Sequence, residues 1–306
     1  MSLVEEFKKS IKSPDTEEKL DLVFYRPAGF AIAKTAQVLR MTPTQLTLIG
    51  MVMGVYGGIL FYQRENTLAL IWASILFVWA GVFDSSDGQL ARMTKQSSKI
   101  GLVLDGICDN VVFGAAYLAS SAALIPEYGY WIFLIAVIAG VGHSFQSAVL
   151  DFYHREYLYF GYGKVDGDYW NPSVAEAKAE IEKSGDTLEG RMAKLRLNWI
   201  RQQQTLSSRT DSERQQMRAI VNGNDKALRD RFCEAYRKHN LKMLSLWRIN
   251  GTNFHTICII FFTFMRRFDL YLILVDIIVL NILMIFIRKI QRRQDEKLFK
   301  EFGIKP

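Results

Sequence analysis

Long apolar blocks are the feature of this 306-residue sequence that most limits what it can fold into. A helix needs roughly 20 residues to cross the ~30 Å hydrocarbon core of a bilayer. Five blocks reach this length, near residues 44–63, 67–86, 101–124, 129–151 and 269–287. Because the 50% of residues that are hydrophobic are concentrated in such blocks, the chain is predicted to be an all-α polytopic membrane protein.

A sixth block, residues 244–265, is long enough only if its polar first turns belong to the same helix. These turns carry Arg248, Asn250, Asn253 and His255. We include this block because six transmembrane helices place both termini, the loop 87–100 and the segment 152–243 on one side.

That side of the predicted membrane protein carries almost every lysine and arginine. The short loops on the other side carry only Arg64, Arg266 and Arg267. Positively charged residues are retained on the cytoplasmic side of membranes, so both termini are predicted to be cytoplasmic, at the inner membrane if the protein is bacterial.

Two further segments are predicted from residue periodicity and composition. In residues 17–40 the apolar Phe24, Ala28, Ala31, Val38 and Leu39 recur at helical spacing on one face, which predicts an amphipathic helix lying in the membrane interface. Residues 152–243 are polar and contain helical stretches near 175–183 and 226–238. They are separated by chain-breaking Asn-Pro, Ser-Gly and Asn-Gly pairs, which predicts a helical cytoplasmic insertion between the fourth and fifth spans.

The predicted organisation therefore has five parts. These are a cytoplasmic and interfacial segment (1–43), transmembrane helices 1–4 (44–151), the insertion (152–243), transmembrane helices 5 and 6 (244–288) and a cytoplasmic tail (289–306).

Charge and cysteine content exclude several classes of protein. A net charge of +7 suits either nucleic acid or an anionic membrane surface, and the apolar spans favour the membrane, so no nucleic-acid partner is expected. The three cysteines form no CxxC pair, which argues against a zinc site or a disulfide framework and favours burial as small apolar residues.

The sequence places four aspartates where the second span ends and the third begins. They stand in the pattern D-x2-D-G-x2-A-R-x8-G-x3-D-x3-D, whose fixed positions are Asp84, Asp87, Gly88, Ala91, Arg92, Gly101, Asp105 and Asp109. On helices of 3.6 residues per turn, the acids of each helix share one face. Eight fixed positions recur by chance only about once in 10¹⁰ starting points, so the signal is strong.

The residues of this pattern indicate a metal site. Converging carboxylates repel unless they are protonated or share a cation, and oxygen ligands suit Mg²⁺ or Mn²⁺. Small residues at Gly88, Ala91 and Gly101 would let a base or a pyrophosphate approach the helix backbone. Arg92 supplies a fixed charge for a phosphate or for one of the aspartates.

The pattern resembles the signature of the CDP-alcohol phosphotransferase family. The resemblance implies that Asp84, Asp87 and Asp105 hold one or two metal ions against the pyrophosphate of a CDP-activated donor. It implies that Asp109, which we also include among the candidate metal ligands, is the base for the attacking hydroxyl. Gly88, Ala91 and Arg92 match positions that contact the cytidine nucleotide, and the family, like the small residues of the third span, suggests a homodimer.

The predicted reaction is transfer of a phosphate-linked group from a CDP-linked donor to an alcohol acceptor, with release of CMP, in lipid biosynthesis. Transfer of phosphatidyl from CDP-diacylglycerol to a polar alcohol is the preferred direction, and transfer of a CDP-linked headgroup to diacylglycerol or ceramide is the alternative. A divalent-metal transporter is the alternative from another class, because acidic residues in membranes also line ion pathways.

Three polar residues in the last two predicted spans lie outside the motif. Asn253 and His255 are candidates for either a cavity wall that contacts the acceptor or a packing role. Asp276 is expected to make an interhelical hydrogen bond.

Overall fold

A computed structural model describes residues 2–11, 13, 15–96, 99–164 and 169–305, apart from the side chains of residues 99, 100 and 188. Positions 97 and 98 of the predicted cytoplasmic loop and positions 165–168 of the predicted insertion lie outside these ranges.

Within the described ranges the chain is helical and contains no strand. The first half contains α1 (Leu3–Ser10), a π-helical turn (Asp21–Tyr25), α2 (Arg26–Val38), α3 (Pro43–Leu60), α4 (Thr67–Thr94), α5 (Lys99–Ala122), α6 (Ile125–Tyr128) and α7 (Trp131–Tyr162). The second half contains α8 (Val174–Ser184), α9 (Leu188–Leu206), α10 (Asp211–Asn222), α11 (Lys226–Trp247), a 3₁₀ turn (Arg248–Asn250), α12 (Thr252–Phe264), α13 (Phe268–Leu270), a π-helical segment (Tyr271–Leu280) and α14 (Asn281–Phe302).

Five of these helical stretches are long and apolar enough to cross a membrane. They are Pro43–Leu60, Thr67–Thr94, Gly101–Ala122, Trp131–Tyr162 and Phe268–Phe302. The last of them comprises α13, the π-helical segment and α14 without interruption. The prediction of an all-α polytopic membrane protein is therefore confirmed.

The sixth predicted span is wrong as a single helix over residues 244–265. Its first turn belongs to α11, which ends at Trp247, and a 3₁₀ turn and the extended Gly251 precede α12. The 13 residues of α12 extend only about 20 Å at 1.5 Å per residue. Hydropathy averaged over a window did not reveal this break, because apolar residues such as Leu244, Leu246 and Phe254 lie on both sides of the short polar stretch around Gly251.

The structure groups the chain into two compact units. The first comprises Met1–Gly142 and Asn253–Ile278, and the second comprises His143–Thr252 and Val279–Pro306.

In the first unit, α3 packs against both α4 and α5 and so positions the two halves of the aspartate motif. Gly50, Gly54 and Gly58 recur at every fourth position of α3, the spacing that lets membrane helices approach closely. A Cβ atom on Gly58 would lie 2.8 Å from the backbone nitrogen of Ala116 on α5, a distance that real Cβ atoms do not tolerate. The close contact between α3 and α5 therefore depends on glycine at this position.

A helix is present where the interfacial helix was predicted, with α2 as its main part. One side of α2 is buried through Phe30, Ala33 and Ala36. The apolar side chains of Val38 and Leu39 are 80% and 64% exposed, as an apolar face that lies in a membrane interface requires.

Within the described part of residues 152–243, helices α8 to α11 and the end of α7 lie in the second unit. The predicted helical stretches 175–183 and 226–238 fall within α8 and α11, whereas α9 and α10 were not predicted individually. Helix α14 carries residues 289–302, and its Leu298 and Phe299 are buried in the core of this unit. Cys108, Cys233 and Cys258 are free and buried, as predicted.

A fully buried network of charges lies at the centre of the second unit. The Arg209 side chain donates to Glu156 and, at 2.6 Å, to Asp295. It also donates to the Tyr236 hydroxyl at 2.7 Å and to Asn240 at 3.0 Å. Burial alone would lower the pKa of Arg209, but the charges of Asp295 and Glu156 act against it and the pKa is raised well above its usual value.

We expect Arg209→Met to destabilise the protein by about 3–5 kcal/mol, because Asp295 is then buried without its cation and Glu156 keeps only its pair with Arg214. The measurement is thermal unfolding of the detergent-solubilised protein. Unfolding is monitored as the loss of the protein's monodisperse peak in size-exclusion chromatography after heating. Arg191→Met is the matched control, because its partner Asp186 is 79% exposed and the pair is open to solvent. Equal melting temperatures for Arg209→Met and the control would refute a stabilising role for the buried network.

Candidate active site

Three of the four motif aspartates come together in the first unit. One carboxylate oxygen from each of Asp84 and Asp87 on α4 and Asp105 on α5 lies within 4.8 Å of the other two. Asp87 is buried, Asp105 is half-buried and Asp84 is exposed, so the group is accessible at Asp84. Carboxylates this close repel each other strongly unless protons or a cation neutralise them.

The surroundings of the three aspartates fit a divalent ion. The Thr47 hydroxyl of α3 donates to Asp87 Oδ2 at 2.5 Å and fixes that carboxylate. Asp105 Oδ1 is buried and has no hydrogen-bond partner among the described residues, although such an atom is costly to leave without one. An all-carboxylate donor set with an unsatisfied oxygen suits the hard, oxygen-preferring Mg²⁺ or Mn²⁺.

The fourth aspartate, Asp109, does not belong to this group of mutually close oxygens. It lies one helical turn after Asp105 on α5, which separates their backbones by about 6 Å along the axis. Its side chain is half-buried. Asp109 thus lies beside the three clustered aspartates, but its carboxylate is not part of their group of close oxygens.

Gly88 and Arg92, two predicted nucleotide contacts, lie against each other on α4. A Cβ atom on Gly88 would be 3.3 Å from Arg92 Nη1 and 3.7 Å from Nη2, so the guanidinium covers the backbone at Gly88. The other two predicted contacts, Ala91 near the end of α4 and Gly101 near the start of α5, are both half-buried.

The N-terminal segment also reaches the motif, which sequence reasoning missed. Arg26 Nη1 donates to Ser85 Oγ at 3.1 Å, and Arg26 Nε pairs with Glu17 at 2.8 Å. Gln89 Nε2 donates to the Arg26 carbonyl at 3.2 Å and to Ser10 Oγ at 3.1 Å. Gln89 occupies a variable position of the motif, and its polarity in an apolar span was the one signal available in the sequence.

Tyr25 is a second residue of this segment that the sequence did not single out. Its ring lies against Gly81, where a Cβ would be 2.9 Å from Tyr25 Cε1. Burial, followed by the charges of Asp21, Asp84 and Glu18, raises the pKa of Tyr25 to about 12. The Tyr25 hydroxyl therefore stays protonated at neutral pH.

The polar residues of the last two predicted spans are bonded within the first unit. Asn253 Nδ2 donates to Glu18 at 3.1 Å and to Asp21 at 2.9 Å, which ties α12 to the N-terminal segment. His255 is buried, and its Nδ1 is 2.7 Å from the Tyr271 hydroxyl.

The Asp276 carboxylate lies at the other end of this chain of hydrogen bonds. The Tyr117 hydroxyl is 2.6 Å from that of Tyr271 and donates to Asp276 Oδ2 at 2.6 Å. The interhelical hydrogen bond expected for Asp276 is confirmed.

Comparison with known proteins assigns the segment that contains this site. The family model described as CDP-alcohol phosphatidyltransferase matches residues 40–172. This segment includes the aspartate cluster, Gly88, Arg92 and α3. This segment is therefore similar to the CDP-alcohol phosphatidyltransferase family that the motif resembles.

Three curated relatives show how far the likeness extends. The phosphatidylinositol phosphate synthase of Corynebacterium glutamicum is 36% identical over 97 residues, which are 32% of this chain and 43% of the relative. The archaetidylinositol phosphate synthase of Pyrococcus horikoshii is 36% identical over 90 residues, 28% of this chain and 46% of the relative. The CDP-diacylglycerol–glycerol-3-phosphate 3-phosphatidyltransferase of Pectobacterium atrosepticum is 36% identical over 100 residues, 31% of this chain and 50% of the relative.

The chain thus spans about half the length, or less, of the curated relatives it matches. No solved structure gives a significant match.

Proposed function

We propose that this protein transfers a phosphate-linked group from a CDP-activated donor to an alcohol and releases CMP, in a reaction that depends on a divalent metal. The observation that carries this proposal is the group of three carboxylate oxygens within 4.8 Å, contributed by Asp84, Asp87 and Asp105 inside the family-matched segment.

Each of the motif residues has a distinct task in this reaction. Asp84, Asp87 and Asp105 would hold Mg²⁺ or Mn²⁺, which when bound supplies the positive charge that offsets the donor's pyrophosphate. The Arg92 guanidinium, supported over Gly88, binds a phosphate of the nucleotide. Ala91 and Gly101 leave room for the nucleotide beside the helix backbone.

Asp109 is the proposed base. It accepts the proton of the acceptor hydroxyl as the alcohol oxygen attacks the phosphorus farther from cytidine. The bond between that phosphorus and the oxygen of CMP breaks, and CMP leaves with the electron pair. A base outside the group of metal ligands suits this role, because its carboxylate is then not engaged by the ion.

The preferred donor is CDP-diacylglycerol and the preferred acceptor is a polar alcohol. The names of the relatives support this direction, since one of them is a CDP-diacylglycerol–glycerol-3-phosphate phosphatidyltransferase and another a phosphatidylinositol phosphate synthase. Transfer of a CDP-linked headgroup to diacylglycerol or ceramide is the second direction to test. A metal transporter is no longer proposed, because the family of the matched segment is one of transferases.

The test is release of CMP by the purified protein with Mg²⁺ present. CDP-diacylglycerol is offered with glycerol 3-phosphate, inositol or inositol phosphate, and CDP-ethanolamine and CDP-choline are offered with diacylglycerol or ceramide. Formation of a lipid product from CDP-diacylglycerol alone supports the preferred direction. Formation of a lipid product from CDP-ethanolamine or CDP-choline alone supports transfer of a headgroup. CMP release from none of these pairs would overturn the proposed function.

Orientation and assembly complete the proposal. The distribution of basic residues supports cytoplasmic termini and a cytoplasmic active site. The test is labelling of a cysteine introduced near the C-terminus with an impermeant maleimide: labelling only after the membrane is opened supports this orientation.

The protein is predicted to be a homodimer, because small residues recur along α5, among them Gly106, Gly114, Ala115 and Ala119, and would favour close helix contact. Light scattering in detergent should give a protein mass of twice 35.1 kDa. A mass of one chain at all concentrations would contradict the prediction.

A further inference from the structure

The N-terminal helix α1 is bonded through its last residue, Ser10, to the predicted nucleotide contact Arg92 and to the neighbouring Gln89. Arg92 Nε donates to the Ser10 carbonyl oxygen. Gln89 Nε2 donates to Ser10 Oγ at 3.1 Å, and Ser10 itself is fully buried. One residue of α1 thus receives hydrogen bonds from two successive turns of the motif helix.

These hydrogen bonds restrict the conformation of the Arg92 side chain and so the position of its guanidinium group. An arginine side chain has four rotatable bonds, and ordering it costs conformational entropy that a ligand must otherwise offset on binding. The bond at Nε anchors the inner end of the guanidinium and leaves its two terminal nitrogens near Gly88, where they cover the backbone. Without Ser10, the Arg92 side chain would gain conformations in which the guanidinium is away from Gly88.

Two contacts dock α1 on α2 and so place Ser10 beside Gln89 and Arg92, and a capping box stabilises α1 itself. The Phe7 ring packs edge-on against Phe30 of α2, with ring centroids 5.4 Å apart. Glu6 pairs with Lys34 of α2 at 2.8 Å. At its other end, α1 is closed by a capping box in which Ser2 and Glu5 satisfy each other's backbone nitrogens.

We propose that α1 is a positioning element of the donor site, which pre-orients Arg92 for the cytidine nucleotide through the backbone and side chain of Ser10. This rests on the proposed function, since it assigns Arg92 to the donor. Helix α1 precedes the family-matched segment, which begins at residue 40. Because Ser10 acts through Arg92 and not on the reacting atoms, loss of α1 should weaken donor binding and leave the chemical step intact.

The experiment compares the intact protein with a variant that lacks residues 2–9 and with Phe7→Asp, which removes the docking contact without shortening the chain. Binding of CDP is measured by calorimetry with Mg²⁺ present, and CMP release is measured over a range of donor concentrations. We expect both variants to bind CDP about tenfold more weakly, the effect of losing one hydrogen bond to a charged group, and to show a raised KM with kcat changed by less than about twofold.

Two substitutions sharpen the result. Ser10→Ala removes the hydroxyl that accepts from Gln89 but keeps the backbone carbonyl that accepts from Arg92. Its loss of CDP affinity should therefore be smaller than that of the deletion variant. Ser10→Thr keeps a hydroxyl at this position and should bind CDP as the intact protein does. Lys8→Ala is the matched control, because this side chain is exposed on the same helix, and it should behave as the intact protein does.

Failure of the inference and failure of the proposed function are distinguishable. An intact protein that neither binds CDP nor releases CMP overturns the proposed function. An intact protein that does both, with unchanged CDP affinity in the deletion and in Phe7→Asp, overturns the positioning role alone. A fall in kcat with unchanged KM would also overturn it, since that would place the effect of α1 on the chemical step.

Discussion

Asp109→Asn is expected to retain binding of the CDP donor and to lose transfer by about 10²- to 10⁴-fold, the usual contribution of a general base. Asparagine keeps the shape of the side chain and removes its capacity to accept a proton. Asp109 lies outside the group of three close carboxylate oxygens, so its substitution should leave the metal site occupied.

Asparagine at Asp84, Asp87 or Asp105 is expected to remove both donor binding and transfer. Each substitution deletes one of the three charges that would hold the cation, and the donor's pyrophosphate would then meet carboxylates without a counter-ion. For Asp87, the Thr47 hydroxyl would also lose its carboxylate acceptor.

Thermal shift with CDP and Mg²⁺, run beside a CMP-release assay, separates the two groups of variants. Asp269→Asn is the control, because Asp269 is paired with Arg267 and Tyr128 and belongs to no part of the site. If Asp109→Asn loses donor-induced stabilisation as completely as Asp84→Asn does, the proposed division is wrong and the four acids act as one metal-binding unit.

Removal of divalent metal with EDTA is expected to abolish CMP release, with a loss of at least about 100-fold, and added Mg²⁺ or Mn²⁺ should restore it. The physical reason is charge: carboxylates this close to one another repel a pyrophosphate, and the ion supplies several kcal/mol of stabilisation for the charge that moves to CMP.

Two controls make the chelator experiment specific. EDTA already saturated with Mg²⁺ should leave CMP release unchanged, which excludes an effect of the chelator on the detergent or the lipid. Addition of Mg²⁺ to the chelated protein should raise the melting temperature of the intact chain and not that of Asp84→Asn. Full turnover in excess free EDTA would contradict the metal mechanism.

Local patterns in the sequence determined the membrane class and singled out the candidate acids. Helix geometry fixes which residues share a face when they are three or four positions apart, so the spacing of Asp84 to Asp87 and of Asp105 to Asp109 was sufficient to place them. The length of an apolar block fixes whether a helix can cross the bilayer, so five long helices were predicted correctly.

Hydropathy failed where a short backbone feature interrupts an apolar stretch. Residues 244–265 have sufficient apolar content for one span, but the 3₁₀ turn and the extended Gly251 divide them between α11 and α12. A window average does not register the conformation of one glycine, and the polar Asn250 and Asn253 on either side were the signal that the helix ends there.

The tertiary structure alone decided which residues support the site. Thr47 is 40 positions from Asp87, and Ser10 is 82 positions from Arg92. Contacts over such separations have no periodicity in the sequence, because they depend on how α1 and α3 pack against α4. The sequence by itself therefore determined that this chain is a helical membrane protein with four aspartates in one motif, while packing decided that three of them converge and that the N-terminal helix holds Arg92.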